Sequence, residues 1–529
     1  MSSSPGVRAM LTMSLAVSVS GERGHVQHGF ELCSPAGDKQ SIWHLQVYAA
    51  SLSVAEDSVD AEAHFVLFAA IHIEPANESI AADRYLRKAN LGIDQAETLE
   101  NHGISYDDVV HLRDFMTCNS ALLPKFEVLG CGIGRAADTM QVHAEVRHHV
   151  AGELVTCRFP ASSLVSGKLP DTFVDVLSFL DAAVYVRVSP RFPALGLKLR
   201  LCSTRSSLYD EKTSCASEEA RAPRMVTACT QPLYGYDKLR EEHRYFLEDW
   251  LEYHHEHLGL VFQLYDIDGS FRRGLGDRFK RYVSYLPHFP HHISPALAAI
   301  SISGFPLCTE LFAYVHCLSV QRARGHAAVL LHTPDTYLRP AKREPLACFL
   351  RRFAVDGHRG WEDIEHLVVP TKNFARSLTG RAGPEPANMQ NVFWHRGSVI
   401  ATSVLSRAWP EWLYRGIPVL NPGHCFGSGA HDCVPAPERL GASEENRTCR
   451  VKRPDLAPCA TVTKYASELL AHHYVEMWSW DEGRCGRMRH SVDPSRLGPD
   501  KMYVRQGCTY PDESLLWVGD YLHDSEQQN

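Results

Sequence analysis

The chain lacks several features that would each point to a class. No Cys-x-x-Cys pair occurs, which excludes zinc ribbons and thioredoxin-type redox sites. No run of 18 or more apolar residues occurs, so there is no clear transmembrane helix, and a membrane association is left open. Sixteen cysteines in 529 residues are too few for a disulfide scaffold. Basic residues do not outnumber acidic ones: 54 Lys and Arg stand against 62 Asp and Glu, for a formal net charge of -8. A general electrostatic grip on nucleic acid needs a positive footprint, so no nucleic acid partner is expected. Glycine and proline are not in excess, and 44% apolar with 22% charged residues is ordinary for a folded chain. A disordered, collagen-like or coiled-coil protein is therefore excluded.

What is present is enough chain for two or three domains at about 150 residues each. Arg8 precedes the serine-rich apolar stretch Ala9 to Ser20, which has the length of a signal-peptide core, and Ser18-Val19-Ser20 offers small residues for cleavage. Residues 1–20 read equally as a signal segment or as a frayed N-terminus. Asn77-Glu78-Ser79 and Asn446-Arg447-Thr448 have the form of glycosylation acceptors. Together with the cysteines they lean toward the secretory pathway.

Residues 21–203 read as a β-rich domain. Gln141 to Val146 alternates between apolar and polar positions, and Leu197-Lys198-Leu199-Arg200-Leu201 does so strictly. This predicts an antiparallel, half-exposed sheet, of sandwich type. Residues 204–224 are polar and serine-rich, a linker. From residue 225 the period changes. An apolar run at Met225 to Cys229 precedes a helical face of Phe246, Leu247, Trp250, Leu251, His254 and Leu258, then Gly259 as a stop and the buried strand Leu260 to Tyr265. Leu307 to Leu318 marks another helix, stopped by Gly325 after Arg322 and Arg324; Ala327 to Leu331 is a strand, and Leu346 to Phe353 a helix. Alternating strands and helices over 225–523 predict an α/β domain with a mostly parallel sheet, carrying a polar insertion at 434–460.

Ligands of open α/β sheets bind beyond the carboxyl ends of the strands. Two strands here run into acids: Tyr265-Asp266-Ile267-Asp268-Gly269 and His332-Thr333-Pro334-Asp335. Such carboxylates suit a ribose hydroxyl, or a divalent ion bridging a diphosphate. Asp266 and Asp268 fit equally a turn whose side chains cap their own backbone, as Gly269 suggests.

These segments resemble a known family. Val226 to Pro232, the helix segment Phe246-Leu247-Glu248-Asp249-Trp250-Leu251-Glu252-Tyr253-His254, then Leu258-Gly259 and Leu264-Tyr265-Asp266, are similar to the start of glycosyltransferase family 92. His316-Cys317-Leu318 with Ala327 to Leu338, and His473-Tyr474, are similar to later blocks in the same order, so the resemblance covers about residues 224–490. It implies a GT-A-like, nucleotide-sugar-binding fold and a divalent metal, Mn2+ or Mg2+. It also implies inverting transfer of a hexose, galactose in characterised members, from a UDP-sugar donor to a glycan or glycoconjugate acceptor. The implied location is the secretory pathway, in the Golgi lumen or membrane, and the family's N-terminal tether is expected to be missing or shortened.

Carried over residue by residue, Asp335 falls on the second aspartate of the family's Asp-x-Asp, and Thr333 stands in place of the first. His473 is the candidate second metal ligand; the other reading is a core or surface histidine. Glu362 and Asp363 are candidates for the base that an acceptor hydroxyl needs, or else a helix's first turn. Asp266, Asp268 and Arg396 are candidates for the nucleotide-sugar, since Arg suits phosphate oxygens. Glu252 is expected to be solvated, and Trp250 and His254 to be core. Two rival functions are carried along. Thr333 favours a catalytically inactive relative that binds a glycan or a partner protein. The glycine-rich Gly130-Cys131-Gly132-Ile133-Gly134 fits an S-adenosylmethionine-dependent methyltransferase, or a turn between strands. His424-Cys425 with His431-Asp432-Cys433 fits zinc, or a Cys425–Cys433 bridge.

Overall fold

The structure is a computed structural model. It describes residues 26–33, 36–40, 43–55, 60–71, 109–111, 122–124, 126–134, 140–149, 151–160, 179–188, 194–204, 225–242, 245–290, 293, 309–342, 344–352, 354–355, 359–363, 365–369, 371–375, 405–406, 416–429, 433–435, 469–474 and 510–511. The signal segment, the linker after Thr204, both glycosylation triplets and Arg396 lie outside these residues.

Ten strands of the first half form one antiparallel sheet. They are β1 (Val26–Leu32), β2 (Ala36–Gln40), β3 (Trp43–Ala55), β4 (Asp60–Ile71), β5 (Phe126–Gly134), β6 (Met140–Val142), β7 (Ala144–His149), β8 (Gly152–Pro160), β9 (Phe179–Val188) and β10 (Leu195–Ser203). The order is β6-β5-β9-β10-β1-β3-β4-β8-β7, with β2 beside β3. The alternation seen in the sequence sets which side faces in: along β10, Leu197, Leu199 and Leu201 are buried while Lys198 and Arg200 are exposed. The sheet curls on itself rather than packing as a sandwich. Its concave face encloses Val47, Leu52, Phe65, Val155, Phe159, Val184 and Leu199. The Cys131–Cys157 disulfide joins β5 and β8, from opposite ends of the strand order, so the sheet is nearly closed. The glycine-rich segment is strand β5, paired with β9 and β6. A strand cannot cradle a cofactor as a loop before a helix does, which removes the basis for the methyltransferase reading.

The second half contains β11 (Val226–Thr230), α1 (Tyr236–Glu242), α2 (Phe246–Leu258), β12 (Leu260–Asp266), β13 (Val283–Pro287), α3 (Glu310–Ala323), β14 (Ala328–His332), β15 (Thr336–Pro340), α4 (Leu346–Arg352), β16 (His366–Val369), β17 (Thr371–Ala375), β18 (Ile417–Leu420), β19 (Cys425–Ser428), β20 (Cys433–Pro435) and β21 (Leu469–Tyr474). Helix α2 carries its apolar residues inward, and Gly259 ends it in the left-handed conformation at φ 64°. Six strands form a mixed sheet in the order β13-β12-β11-β14-β18-β16. The first four are parallel; β18 pairs antiparallel with both β14 and β16. Strand β15 leaves for a separate sheet, antiparallel to β21, which runs parallel to β17.

The expectation of a mostly parallel, GT-A-like fold is therefore corrected: the chain is mostly antiparallel, with a nearly closed barrel-like sheet. Parallel pairing needs a long crossover each time. After β14 the chain turns directly into β15, and the seven-residue α4 is the one α-helix among the described residues before β16. Strand β18 then enters antiparallel between β14 and β16, and β15 pairs antiparallel with β21.

Helix α3 lies between the two halves and is buried on nearly all sides, with Phe312, Ala313, Tyr314, Val315, Cys317, Leu318, Ser319, Gln321, Arg322 and Ala323 inside. It forms one core with Tyr48, Val66 and Phe68 of the curled sheet and with Cys229, Val329 and Leu331 of the mixed sheet. This is why β3 and β4 do not alternate cleanly: both of their faces are covered. The Cys229–Cys317 disulfide fixes α3 to β11. Arg322 donates to the carbonyls of Pro422 and Cys425, and Arg324 makes two 3.1 Å bonds to Glu31. At Gly29 a Cβ would lie 1.4 Å from the Ala323 carbonyl oxygen, so β1 can meet the end of α3 only through glycine.

Phe312 packs edge-on to Tyr48 and Phe68, with centroids 5.9 and 5.4 Å apart. Phe312→Ala leaves a cavity there and is expected to cost about 3–5 kcal/mol. Urea unfolding followed by tryptophan fluorescence and by circular dichroism measures it; a cost below about 1 kcal/mol contradicts a helix packed from both sides.

Candidate functional site

The parallel strands β11 to β14 direct their carboxyl ends to one edge. The chain builds β12 and β13 on one side of β11, then crosses to place β14 on the other. Loops diverge at such a switch and leave a crevice. Adjacent strands are about 4.8 Å apart, so the segments after β12 and β14 are about 10 Å apart at their roots.

On the β12 side, two carboxylates are held by backbone donors. Asp266 is fully buried. Its Oδ1 accepts from Gly269 N at 3.0 Å, and its Oδ2 from Phe271 N at 2.8 Å and from the Tyr285 hydroxyl at 2.6 Å. Asp268 is exposed, and it accepts from Ser270 N at 3.0 Å and Gly235 N at 2.9 Å. The self-capping turn suggested by Gly269 is thus present, with φ 74° at that glycine. Burial pushes the Asp266 carboxyl up from 3.8 to about 6, against the bond from Tyr285, and the neighbouring Asp268 adds to the rise. Partial burial works against Asp268 as well, but bonds from Ser270, Gly235 and Asp266 outweigh it and hold Asp268 below the ordinary carboxylate range.

On the β14 side, the chain turns at Thr333 to Thr336, closed by Thr336 N to Thr333 O at 3.0 Å. Asp335 is buried, and its Oδ1 accepts from the Thr333 hydroxyl and, at 3.1 Å, from the Thr336 hydroxyl. From α3, Tyr314 lies within electrostatic reach of Asp335.

Helix α2 clamps the backbone that follows this turn. Trp250 Nε1 donates to Thr336 O at 2.8 Å, and the Tyr253 hydroxyl donates to Leu338 O. His254 gives Nδ1–H to Trp250 O at 2.8 Å, so its Nε2 accepts from Leu338 N at 3.2 Å and from His332 Nε2 at 3.0 Å. Burial, then the neighbouring His332, keeps the His254 pKa well below the ordinary histidine value. Trp250 and His254 are core, as their helical face suggests. The spacing does not reveal that they also fix β15 through its backbone, although polar tips on an otherwise apolar face are the signal for such a role. Glu252 makes a 2.7 Å ion pair with Arg278.

His473 lies opposite Thr336 in the β15–β21 ladder and level with Asn373 of β17, so the backbone brings it next to the Asp335 turn. Its side chain, like that of Asp363, is outside the described residues. Glu362 is not brought to this edge. It is exposed, in the turn Trp361–Asp363, and Trp361 Nε1 bonds Ala327 O at 2.9 Å, at the amino end of β14. A strand of five residues, about 17 Å, separates that end from Asp335. The candidate base is therefore placed on the wrong edge for the candidate metal ligand: it precedes β16, which runs in the same direction as β14, so it falls at the amino end of that strand. Cys425 and Cys433 form the bridge weighed above. Tyr285 and the exposed His288, held at φ 54° with its ring against Gly269, also line the carboxyl edge, and no sequence pattern marks them.

No family model and no curated protein matches the chain.

Asp266 gives a pH test. Its folded pKa is raised, so its contribution to stability is full below about pH 4 and is lost as the pH rises through about 6. Across that window, wild-type stability is expected to carry a falling component that Asp266→Asn lacks. Urea unfolding of both proteins in a pH series checks it, and parallel slopes would show that Asp266 ionises normally.

Proposed function

We propose that residues 225–523 are a glycosyltransferase that moves a hexose, galactose by the resemblance, from a UDP-sugar to a glycan or glycoconjugate acceptor. The observation that carries this reading is the meeting of Asp335 and the His473 position at a strand-order switch, where nucleotide ligands bind in sheets of parallel strands. The resemblance to glycosyltransferase family 92 supplies the reaction. One carboxylate and one imidazole are oxygen and nitrogen donors of the kind manganese takes, and a diphosphate adds further oxygens. In such a site Asp335 and His473 would hold the ion, which would supply Lewis-acid stabilisation to the negatively charged nucleoside diphosphate. Thr333 and Thr336 orient the Asp335 carboxylate, and the Trp250, Tyr253 and His254 clamp holds the chain that carries it. A base for the acceptor hydroxyl belongs at this same edge, so Glu362 is not assigned that part. The disulfides of both halves suit an oxidising lumen, in keeping with a Golgi location.

One observation favours a second reading, an inactive relative that binds glycans or a partner. A threonine stands where the family has its first acid, and its hydroxyl is committed to Asp335.

Calorimetry separates the two. With a single carboxylate at the site, manganese and UDP are expected to bind with positive coupling, each tightening the other by the same factor. Asp335→Asn is expected to weaken manganese-dependent UDP binding by about tenfold or more, roughly 1.4 kcal/mol. Thr333→Asp is expected to tighten manganese binding without nucleotide. Equal UDP affinity in wild type and Asp335→Asn, with manganese present, removes the metal assignment; coupled binding with no sugar transfer leaves the second reading.

A further inference from the structure

At the opposite edge of the mixed sheet, one other cluster of metal-binding side chains stands among the described residues. A carboxylate oxygen of Glu365, a ring nitrogen of His366 and Sγ of Cys433 all lie within 4.8 Å of one another, and all three residues are buried. Cys433 is bonded to Cys425, also buried, whose Sγ is 3.0 Å from the Glu365 carbonyl oxygen. Three separate parts of the fold bring these groups together. Glu365 precedes β16 and His366 opens it, paired with Leu420 of β18, and Asn421 N bonds Glu365 O at 2.9 Å. Cys425 opens β19 and Cys433 opens β20, whose hairpin packs on α3.

The geometry points to a zinc site that forms when the Cys425–Cys433 disulfide is reduced, with Cys425, Cys433, His366 and Glu365 as its four ligands. While the disulfide is intact neither sulfur is a thiolate, so the ligand set is incomplete. Reduction needs two electrons and two protons. A dithiol supplies both and leaves as its own disulfide, so the S–S bond breaks and two thiols form. Zinc then displaces the two thiol protons and binds two thiolates, a neutral imidazole and a carboxylate. Bond lengths of about 2.3 Å to sulfur and about 2.0 Å to nitrogen and oxygen set tetrahedral edges of about 3.3–3.8 Å; Glu365, His366 and Cys433 already stand within 4.8 Å of one another, and the disulfide holds Cys425 Sγ beside Cys433 Sγ. The filled site carries one net negative charge. The buried Arg322 guanidinium, which donates to the Cys425 carbonyl, stands beside it to balance that charge. Disulfide and zinc are thus alternative clasps on the same hairpin. This inference does not rest on the proposed transfer reaction, whose candidate residues lie at the other end of β14.

The test uses the full chain with cobalt as a spectroscopic stand-in and zinc by elemental analysis, before and after reduction with a phosphine under nitrogen. The phosphine leaves as its oxide, taking oxygen from water, and is removed by gel filtration before the ion is added. Oxidised wild type, without nucleotide, sets the baseline, which includes any zinc held at the Asp335 edge. Reduced wild type is expected to hold one more per chain and to show, with cobalt, tetrahedral bands and thiolate charge-transfer absorption. Cys425→Ser with Cys433→Ser should lose both, while Cys33→Ser with Cys202→Ser, at a disulfide in the curled sheet, should keep both. His366→Gln leaves the disulfide available, so its fold is verified in the oxidised form by circular dichroism, and after reduction it should bind at least tenfold more weakly. The inference is overturned if reduced wild type takes up no further zinc, if oxidised and reduced chains bind equally, or if either site variant binds as wild type does.

Discussion

Helix α3 has to be satisfied on both faces at once, and that requirement organises the rest of the molecule. A helix without a solvent face is stable only inside a core. Its outer side needs the β3–β4 surface of the curled sheet, and its inner side needs β11 and β14. Its polar groups are also provided for: Gln321 accepts from Thr227, and Arg322 and Arg324 bond the β18–β19 turn and Glu31. Removing either half would leave apolar residues and a buried cation exposed, so the helix ties the stability of one half to the other. It also reaches the candidate edge, since the Tyr265 hydroxyl and His316 are 2.8 Å apart and Tyr265 precedes Asp266.

On the far side of the mixed sheet, α2 does the complementary work. Its aromatic residues pack against β12 and β14 while their polar tips hold the backbone of β15. The candidate edge is therefore set from both faces: α3 under one, α2 over the other. Within it the acids have different duties. Asp266 and Asp268 are occupied with closing a turn. Asp335 accepts side-chain hydroxyls and sits beside the ladder position of His473. That difference is the reason for putting the ion at Asp335.

Local pattern was legible in the sequence wherever a short segment decides its own structure. The helical face of α2, its Gly259 stop, the alternation along β10 and the capping turn at Gly269 follow from spacing and from glycine's freedom at positive φ. What could not be read depends on distant partners. Nothing within Ile417–Leu420 says that it joins β14 antiparallel, and nothing around Glu362 says that it precedes a strand running in the same direction as β14, which puts it at the amino edge. Gly130 to Gly134 has the composition of a loop, yet it pairs with two strands, and at Gly130 a Cβ would lie 2.5 Å from the Val142 carbonyl oxygen; its glycines serve close backbone approach rather than a ligand. Closure of the first sheet rests on a disulfide between cysteines 26 residues apart, and sequence alone leaves such pairings undetermined.

The most direct test of the account is the location of the ion. Crystals of the full chain grown with UDP and manganese, measured at the manganese absorption edge, give its position without reference to activity. The account predicts an anomalous peak at the carboxyl edge of β14, about 2.2 Å from an Asp335 oxygen, with the His473 imidazole in the same coordination shell. A peak on Asp266 and Asp268, or bound UDP with no ion at Asp335, would contradict it.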